Sequence, residues 1–245
     1  MKNLALADLT ELEILQGSLG LLWVIIASLI GFKIIYKAIN LKRKELIFVG
    51  LAYILVVSAW WGVAFQFVSY GLLDIKLDEY TYIFIANAFI PIALICWGYA
   101  ICEIMNPELK KNLFVFIFIF SVVWEIYIIY FLFSDISMIA RLESTFDSNQ
   151  STYNLIFIVT AILIFVITGM IFSLKSMKLE DKELKWKGRF LFIAWISFFI
   201  GALMDSAITL NAVNLVIVRL ILISGAIEYY LGFFLPKPVA NQLVK

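Results

Sequence analysis

The 245 residues are 64% hydrophobic and 15% charged, against about 45–50% and 25% in soluble domains, so no water-soluble fold of this length hides its own apolar surface. A formal charge of +1 leaves no basic excess for nucleic acid. Histidine is absent, which excludes His-ligated haem, most zinc sites and every His-based triad.

Apolar runs long enough to cross a bilayer, about 20 residues each, predict seven transmembrane helices in a single all-α, multi-pass bundle, at 17–38, 46–72, 82–105, 113–133, 153–174, 190–209 and 213–235. Met1-Lys2-Asn3 has the look of a signal n-region. However, Asp8, Glu11 and Glu13 follow it, and the apolar run ends in Lys42-Arg43-Lys44, the reverse of a cleaved signal; the segment is therefore helix 1. Thr10 with Glu13 reads as a capping box, with Leu9 and Ile14 as its staple.

Helix 2 carries Gln66 in its outer half, and helix 3 carries Asn87 four residues before Pro91. A mid-helix proline displaces the carbonyl four residues earlier, so a kink in helix 3 exposes backbone beside the Asn87 amide. Together with Gln66 this points to a polar cavity opening outward, or to amides that tie helices together. Cys96 and Cys102 in the same helix lie six residues apart on different faces and form no disulfide framework. In helix 4, Glu125 sits too deep to snorkel; either it is protonated or it reaches Arg219 across the bundle.

The connection 134–152 shows Ile136, Ile139, Leu142 and Phe146 at helical spacing after a candidate cap, Asp135, which predicts a short helix lying flat in the interface. Asn149-Gln150-Ser151 in it is a glycosylation sequon, and equally an ordinary surface loop. The connection 175–189 is basic and salt-paired, with Asp181 and Glu183 four residues before Lys185 and Lys187; it extends helices 5 and 6 beyond the bilayer. Lys178, Lys182, Lys185, Lys187 and Arg189 make it either an anchor on anionic lipid or a docking surface for a cytoplasmic partner.

Asp205 precedes the helix 6–7 turn at Asn211 by about as many residues as separate that turn from Arg219. At roughly 1.5 Å per residue the two stand within about 3 Å of the same depth, which predicts an ion pair, fixed or opened by a ligand. Glu228, in the inner half of helix 7, is within reach of Lys33 if the helices close into a ring.

Sorting the 19 Lys and Arg residues by connection sets the orientation, because basic residues gather on the cytoplasmic side. Only Lys2, Lys76 and Arg141 fall on the other side, with Arg219 inside helix 7. The N-terminus is therefore expected outside and the C-terminus in the cytoplasm, in the cell membrane. Trp60, Trp61, Trp97, Trp124 and Trp195 fall inside the bilayer rather than at its borders, as cavity lining or as packing.

A short repeat, Lys44-Glu45-Leu46 with Phe48 and Gly50 before helix 2 and Lys182-Glu183-Leu184 with Trp186 and Gly188 before helix 6, is echoed by Ser58 and Gly62 against Ser197 and Gly201. It hints at a plan of three helices, one linker and three helices, as in some small transporters. No lysine stands in helix 7 to hold retinal, and no G-x-S-G, G-x-G-D, D-R-Y or N-P-x-x-Y string occurs, so no enzyme activity, cofactor or metal is expected. The run from Lys187-Gly188-Arg189 through Gly201-Ala202-Leu203-Met204-Asp205, then Arg219-Leu220-Ile221 and Glu228 through Pro236, resembles uncharacterised archaeal seven-helix membrane proteins. More distantly it resembles the seven-helix sensory region of some histidine kinases. That resemblance implies no catalytic residue or ligand. The expected function is a receptor-like sensor with an outer-half cavity for a small molecule or lipid and a separate cytoplasmic signalling partner. The alternative is a small proton- or cation-coupled transporter, with Glu125, Asp205 and Glu228 as carriers.

Overall fold

The computed structural model describes residues 9–105, 107–207 and 211–243; Lys2, Asn106, Leu210 and Lys245, which enter the topology reading, lie outside them. Seven helices long and apolar enough to cross a membrane run over Glu11–Asn40, Lys44–Leu73, Glu79–Met105, Lys111–Ser134, Thr152–Met177, Lys182–Ser206 and Ala212–Phe234, with mean hydropathies from 1.5 to 3.0. These are helices 1 to 7, and they make the chain a polytopic membrane protein. Helix 1 begins where its capping box places it: Thr10 Oγ1 accepts from the Glu13 N–H at 3.2 Å while the Thr10 N–H donates to Glu13 Oε2 at 2.9 Å. At 30 residues it is about 45 Å long, so its ends project beyond a hydrocarbon core of about 30 Å.

Two helices are interrupted, and both interruptions face the bundle interior. Helix 3 breaks at Ala88-Phe89, just before Pro91, into Glu79–Asn87 and Ile90–Met105. This is the site the proline dictates. Helix 2 tightens into a 3₁₀ stretch at Val57–Trp60 that no proline or glycine within it announces.

Helices 1, 2, 3, 5, 6 and 7 pack in that order, with helix 7 returning to helix 1. Helix 4 lies outside this ring, against helix 3 and, through Trp124 stacked on Phe157 at 5.7 Å, against helix 5. One end of the bundle, the basic end, carries the 1–2 and 5–6 connections and a short helix, Lys237–Leu243. The other end carries the connection 134–152, and here the expected interfacial helix is not what forms.

Asp135 does cap, accepting from the Ser137 N–H at 3.1 Å, but only a single 3₁₀ turn, Ile136–Met138, follows. The chain then folds as an antiparallel hairpin, β1 (Ala140–Leu142) with β2 (Ser148–Gln150), pairing Ala140 with Gln150 and Leu142 with Ser148. Ile139 and Phe146, which gave the helical spacing, are fully buried. Their apolar surface is satisfied by the helices beneath rather than by a bilayer surface. Leu142 N–H donates to Glu79 Oε1 at 3.0 Å and Gln16 Nε2 to the Phe146 carbonyl at 3.0 Å, fastening the hairpin over the end of the ring.

Candidate functional site

Small residues bring helices 6 and 7 into close contact. A Cβ on Gly201 would stand 2.6 Å from Leu222 Cδ2, and one on Gly225 3.1 Å from Ser197 Cβ. Asn211 starts helix 7 by accepting from the Asn214 N–H at 2.9 Å. This hairpin sets Arg219 Nη1 3.0 Å from Asp205 Oδ1, the predicted ion pair. Trp60, delivered by the 3₁₀ stretch of helix 2, donates its indole N–H to the other carboxylate oxygen, Oδ2.

The pairing is Coulombic more than hydrogen-bonded. Arg219 is only 2% exposed, yet its Nε and Nη1, and Asp205 Oδ1, have no partner in hydrogen-bond geometry. Buried donors without acceptors cost free energy, so the guanidinium retains binding capacity.

Arg219 and Asp205 line a cavity of about 160 Å³ at the hairpin end, together with Gln16, Trp60, Tyr82 and Asp147. Its deeper walls are apolar, from Val56, Val63, Ile90, Ala161, Phe165 and Phe198. Asp147 stands at the mouth in the hairpin turn, where its carbonyl accepts from the Glu143 N–H at 3.0 Å. Partial burial pushes its carboxyl above the ordinary Asp range; the Ser148 N–H pulls it down, and the charges of Glu143 and Asp205 push it up again. Tyr82 lies within electrostatic range of Asp147, Asp205 and Arg219. The three charges thus converge on one space.

Toward the basic end the cavity gives way to a layer of rings. Tyr53 stacks on Tyr229 at 4.4 Å, Trp97 meets Trp195 at 5.0 Å, Trp195 meets Tyr229 edge-on at 5.6 Å, and Trp23 meets Trp60 edge-on at 5.7 Å. A void of only about 20 Å³ is left among them. Of the five tryptophans placed inside the bilayer by sequence, Trp60 lines the polar cavity, Trp97 and Trp195 belong to this layer, and Trp61 and Trp124 pack on phenylalanines.

The four polar residues expected to line a cavity or relay are elsewhere. Gln66 Oε1 accepts from the Leu77 N–H at 2.8 Å, holding the 2–3 connection. Asn87 Nδ2 donates to the Ile83 carbonyl at 2.9 Å, and its Oδ1 accepts from Asn154 Nδ2 at 2.9 Å. Asn87 thus ties helix 3 to helix 5, and Gln66 ties helix 2 to the 2–3 connection, with its Nε2 buried and without a partner. Glu125, on the helix outside the ring, is half-buried with Oε2 unpartnered; Arg219 is held by Asp205 instead. Glu228 accepts from Ser197 Oγ and Ser224 Oγ, each at 2.9 Å, while Lys33 Nζ stands over the Tyr230 ring, 4.6 Å from its centroid.

At the basic end Lys178, Lys182 and Arg189 are exposed and Lys185 is half-exposed. Lys187 pairs with Glu183 at 2.6 Å, and Arg189 lies over the Trp186 ring at 4.5 Å. The Trp186 indole donates to the Leu243 carbonyl at 2.8 Å, so the C-terminal helix sits against this surface.

Three residues were missed by sequence reasoning. Asp147 is one acid among several in a loop, and nothing in the sequence sets it at a cavity mouth. Asn154, fully buried, accepts from Trp124 Nε1 at 2.9 Å and donates to Gln150 Oε1 at 2.7 Å; its place near the start of helix 5 is indistinguishable from a headgroup residue. Gln16 in the first turns of helix 1 offered no better signal.

Fold and cavity together define a seven-helix polytopic membrane protein with a polar chamber at one end. No family model, no curated protein and no solved structure matches the chain.

Proposed function

We propose that the protein is a receptor-like membrane sensor. A small molecule enters the hairpin-end cavity from outside the cell, and the basic inner surface of Lys178, Lys182, Lys185, Lys187 and Arg189 engages a separate cytoplasmic signalling protein. The observation that carries this reading is the buried Arg219, with unfilled donors, in a chamber lined by Asp205 and Asp147 and backed by the aromatic layer. Concave sites with few convergent polar groups and apolar walls are where small ligands bind. Trp60 couples that chamber to helix 2 at its 3₁₀ stretch, an irregularity of the kind found at hinges.

The test is co-purification in mild detergent. A cytoplasmic protein should be recovered with the parent chain and lost when Lys178, Lys182 and Lys185 are replaced by Glu. A chain that recovers no partner in repeated attempts is not a sensor of this kind.

One observation favours transport as a second reading. Helices 1–3 and 5–7 form the ring and helix 4 stands outside it, the layout a repeat of three plus one plus three requires. Uptake into proteoliposomes under a proton gradient would decide for it.

A further inference from the structure

We propose that the hairpin-end cavity takes a small zwitterion with an apolar tail, of the α-amino-acid class, its carboxylate on Arg219 and its ammonium on Asp147. The inference rests on the reading of this chamber as a ligand site and adds the chemistry of what fills it.

One wall of the chamber is set up for an acceptor. Arg219 is 2% exposed, and Nε and Nη1 have no hydrogen-bond partner even though Asp205 is 3.0 Å away. A guanidinium presents donors in a planar fork that matches a carboxylate. Asp205 does not fill that fork, because its Oδ2 is taken by Trp60 and its Oδ1 meets Nη1 off-axis.

The mouth is set up for a donor. Asp205 is already opposed by Arg219 at 3.0 Å, whereas Asp147, in the same lining, feels the like charges of Glu143 and Asp205. An ammonium brought to the mouth relieves that repulsion. A carboxylate alone would meet Asp147 on its way in, and an amine alone would leave the Arg219 donors unfilled.

The remaining wall is apolar, with Val63, Ile90, Ala161 and Phe198 in it. The volume of about 160 Å³ is close to that of a cavity of about 150 Å³ that accepts benzene. Carboxylate, ammonium and side chain share that space, so a small aliphatic side chain fits it and phenylalanine marks its upper limit.

The experiment uses the full chain in detergent or nanodiscs, with thermal shift and equilibrium binding as readouts. The probes are L-alanine, L-leucine and L-phenylalanine, each beside its decarboxylated amine and its deaminated acid. At least one zwitterion should bind, and its amine and acid counterparts should bind at least tenfold more weakly. Asp147→Asn, at the exposed mouth, should weaken the zwitterion by about tenfold to a hundredfold, the loss of one charge-assisted hydrogen bond, and should not weaken the acid, whose repulsion at the mouth it relieves. Binding of the amine as tight as the zwitterion would overturn the proposal, as would an unaltered affinity in Asp147→Asn or silence from all three zwitterions. These outcomes separate from the fate of the sensor reading. Zwitterion silence beside a recovered cytoplasmic partner sinks only the ligand class; zwitterion binding followed by proton-driven uptake keeps the ligand and sinks the sensor.

Discussion

Arg219 and Asp205 illustrate what a charge costs inside a bundle. Removing one partner leaves the other unpaired in a poor dielectric, a loss of about 3–5 kcal/mol when burial is full. Arg219 approaches that limit, while the Asp205 side chain is 16% exposed and opens on the cavity, so water discounts its loss. Asp205→Ala, which strands the deeper charge, should therefore lower the melting temperature in detergent at least as much as Arg219→Ala, and an apolar double replacement should recover much of either loss. Single mutants that melt like the parent would show that the pair contributes nothing to stability. Asp147 behaves in the opposite sense. Its folded-state carboxyl is raised by partial burial and by Glu143 and Asp205, against the pull of the Ser148 N–H, with Tyr82 and Arg219 in the same cavity lining. The folded protein thus holds a proton that the unfolded chain has released, and stability falls as pH rises from about 3.9 through the folded value. Asp147→Asn should raise the melting temperature at pH 8, with the gain vanishing near pH 4. A gain that persists unchanged at pH 4 would assign it to packing rather than to charge.

Helices 1 and 2 cross at Gly31 and Gly50, where a Cβ on Gly50 would stand 2.8 Å from the Gly31 carbonyl oxygen and 2.6 Å from Ile35 Cγ1. Backbone on one side leaves no room to give, so Gly50→Ala should destabilise by about 1–3 kcal/mol; an unchanged melting curve would mean that the crossing is looser than drawn. The helices themselves are legible in sequence because hydropathy and charge mark their lengths, and the Asp205–Arg219 pair is legible because equal depth on two helices joined by a short turn leaves little else to specify. Which face of each helix turns inward is not legible. In lipid both faces are apolar, so the period that marks a buried face in a soluble helix is weak. This is why Trp60 and Asn154 escaped notice as partners. The connection 134–152 misleads for a related reason: Ile139 and Phe146 are apolar at helical spacing, yet they are fully buried under a hairpin that crosses the ring.

At the scale of the whole molecule, the two ends differ in chemistry, and the proposed orientation rests on that difference. The 1–2 and 5–6 connections bring Lys42, Arg43, Lys44, Lys175, Lys178 and Lys182 to one end, while the hairpin end carries Lys76 and Arg141 among the described residues. Basic residues close to helix ends are retained in the cytoplasm, and on that rule rests the proposal that the hairpin and the cavity mouth face outward. Thiol labelling tests this directly, because the native Cys96 and Cys102 are buried and give little background. Ser144, exposed in the hairpin turn, and Lys178, exposed in the 5–6 connection, are accessible sites for a cysteine, which at 144 gives up only the 3.4 Å acceptance from the Phe146 N–H. In intact cells, Ser144→Cys should react with a membrane-impermeant maleimide, and Lys178→Cys should react only after permeabilisation. The reverse pattern would turn the bundle over. The cavity would then open to the cytoplasm and the basic surface would face outward, and both the ligand's route and the proposed signalling partner would have to be abandoned together. Labelling of both sites in intact cells would mean that the two connections share one side, which an odd number of spans between residues 144 and 178 forbids; the passage of helix 5 through the membrane would then be wrong.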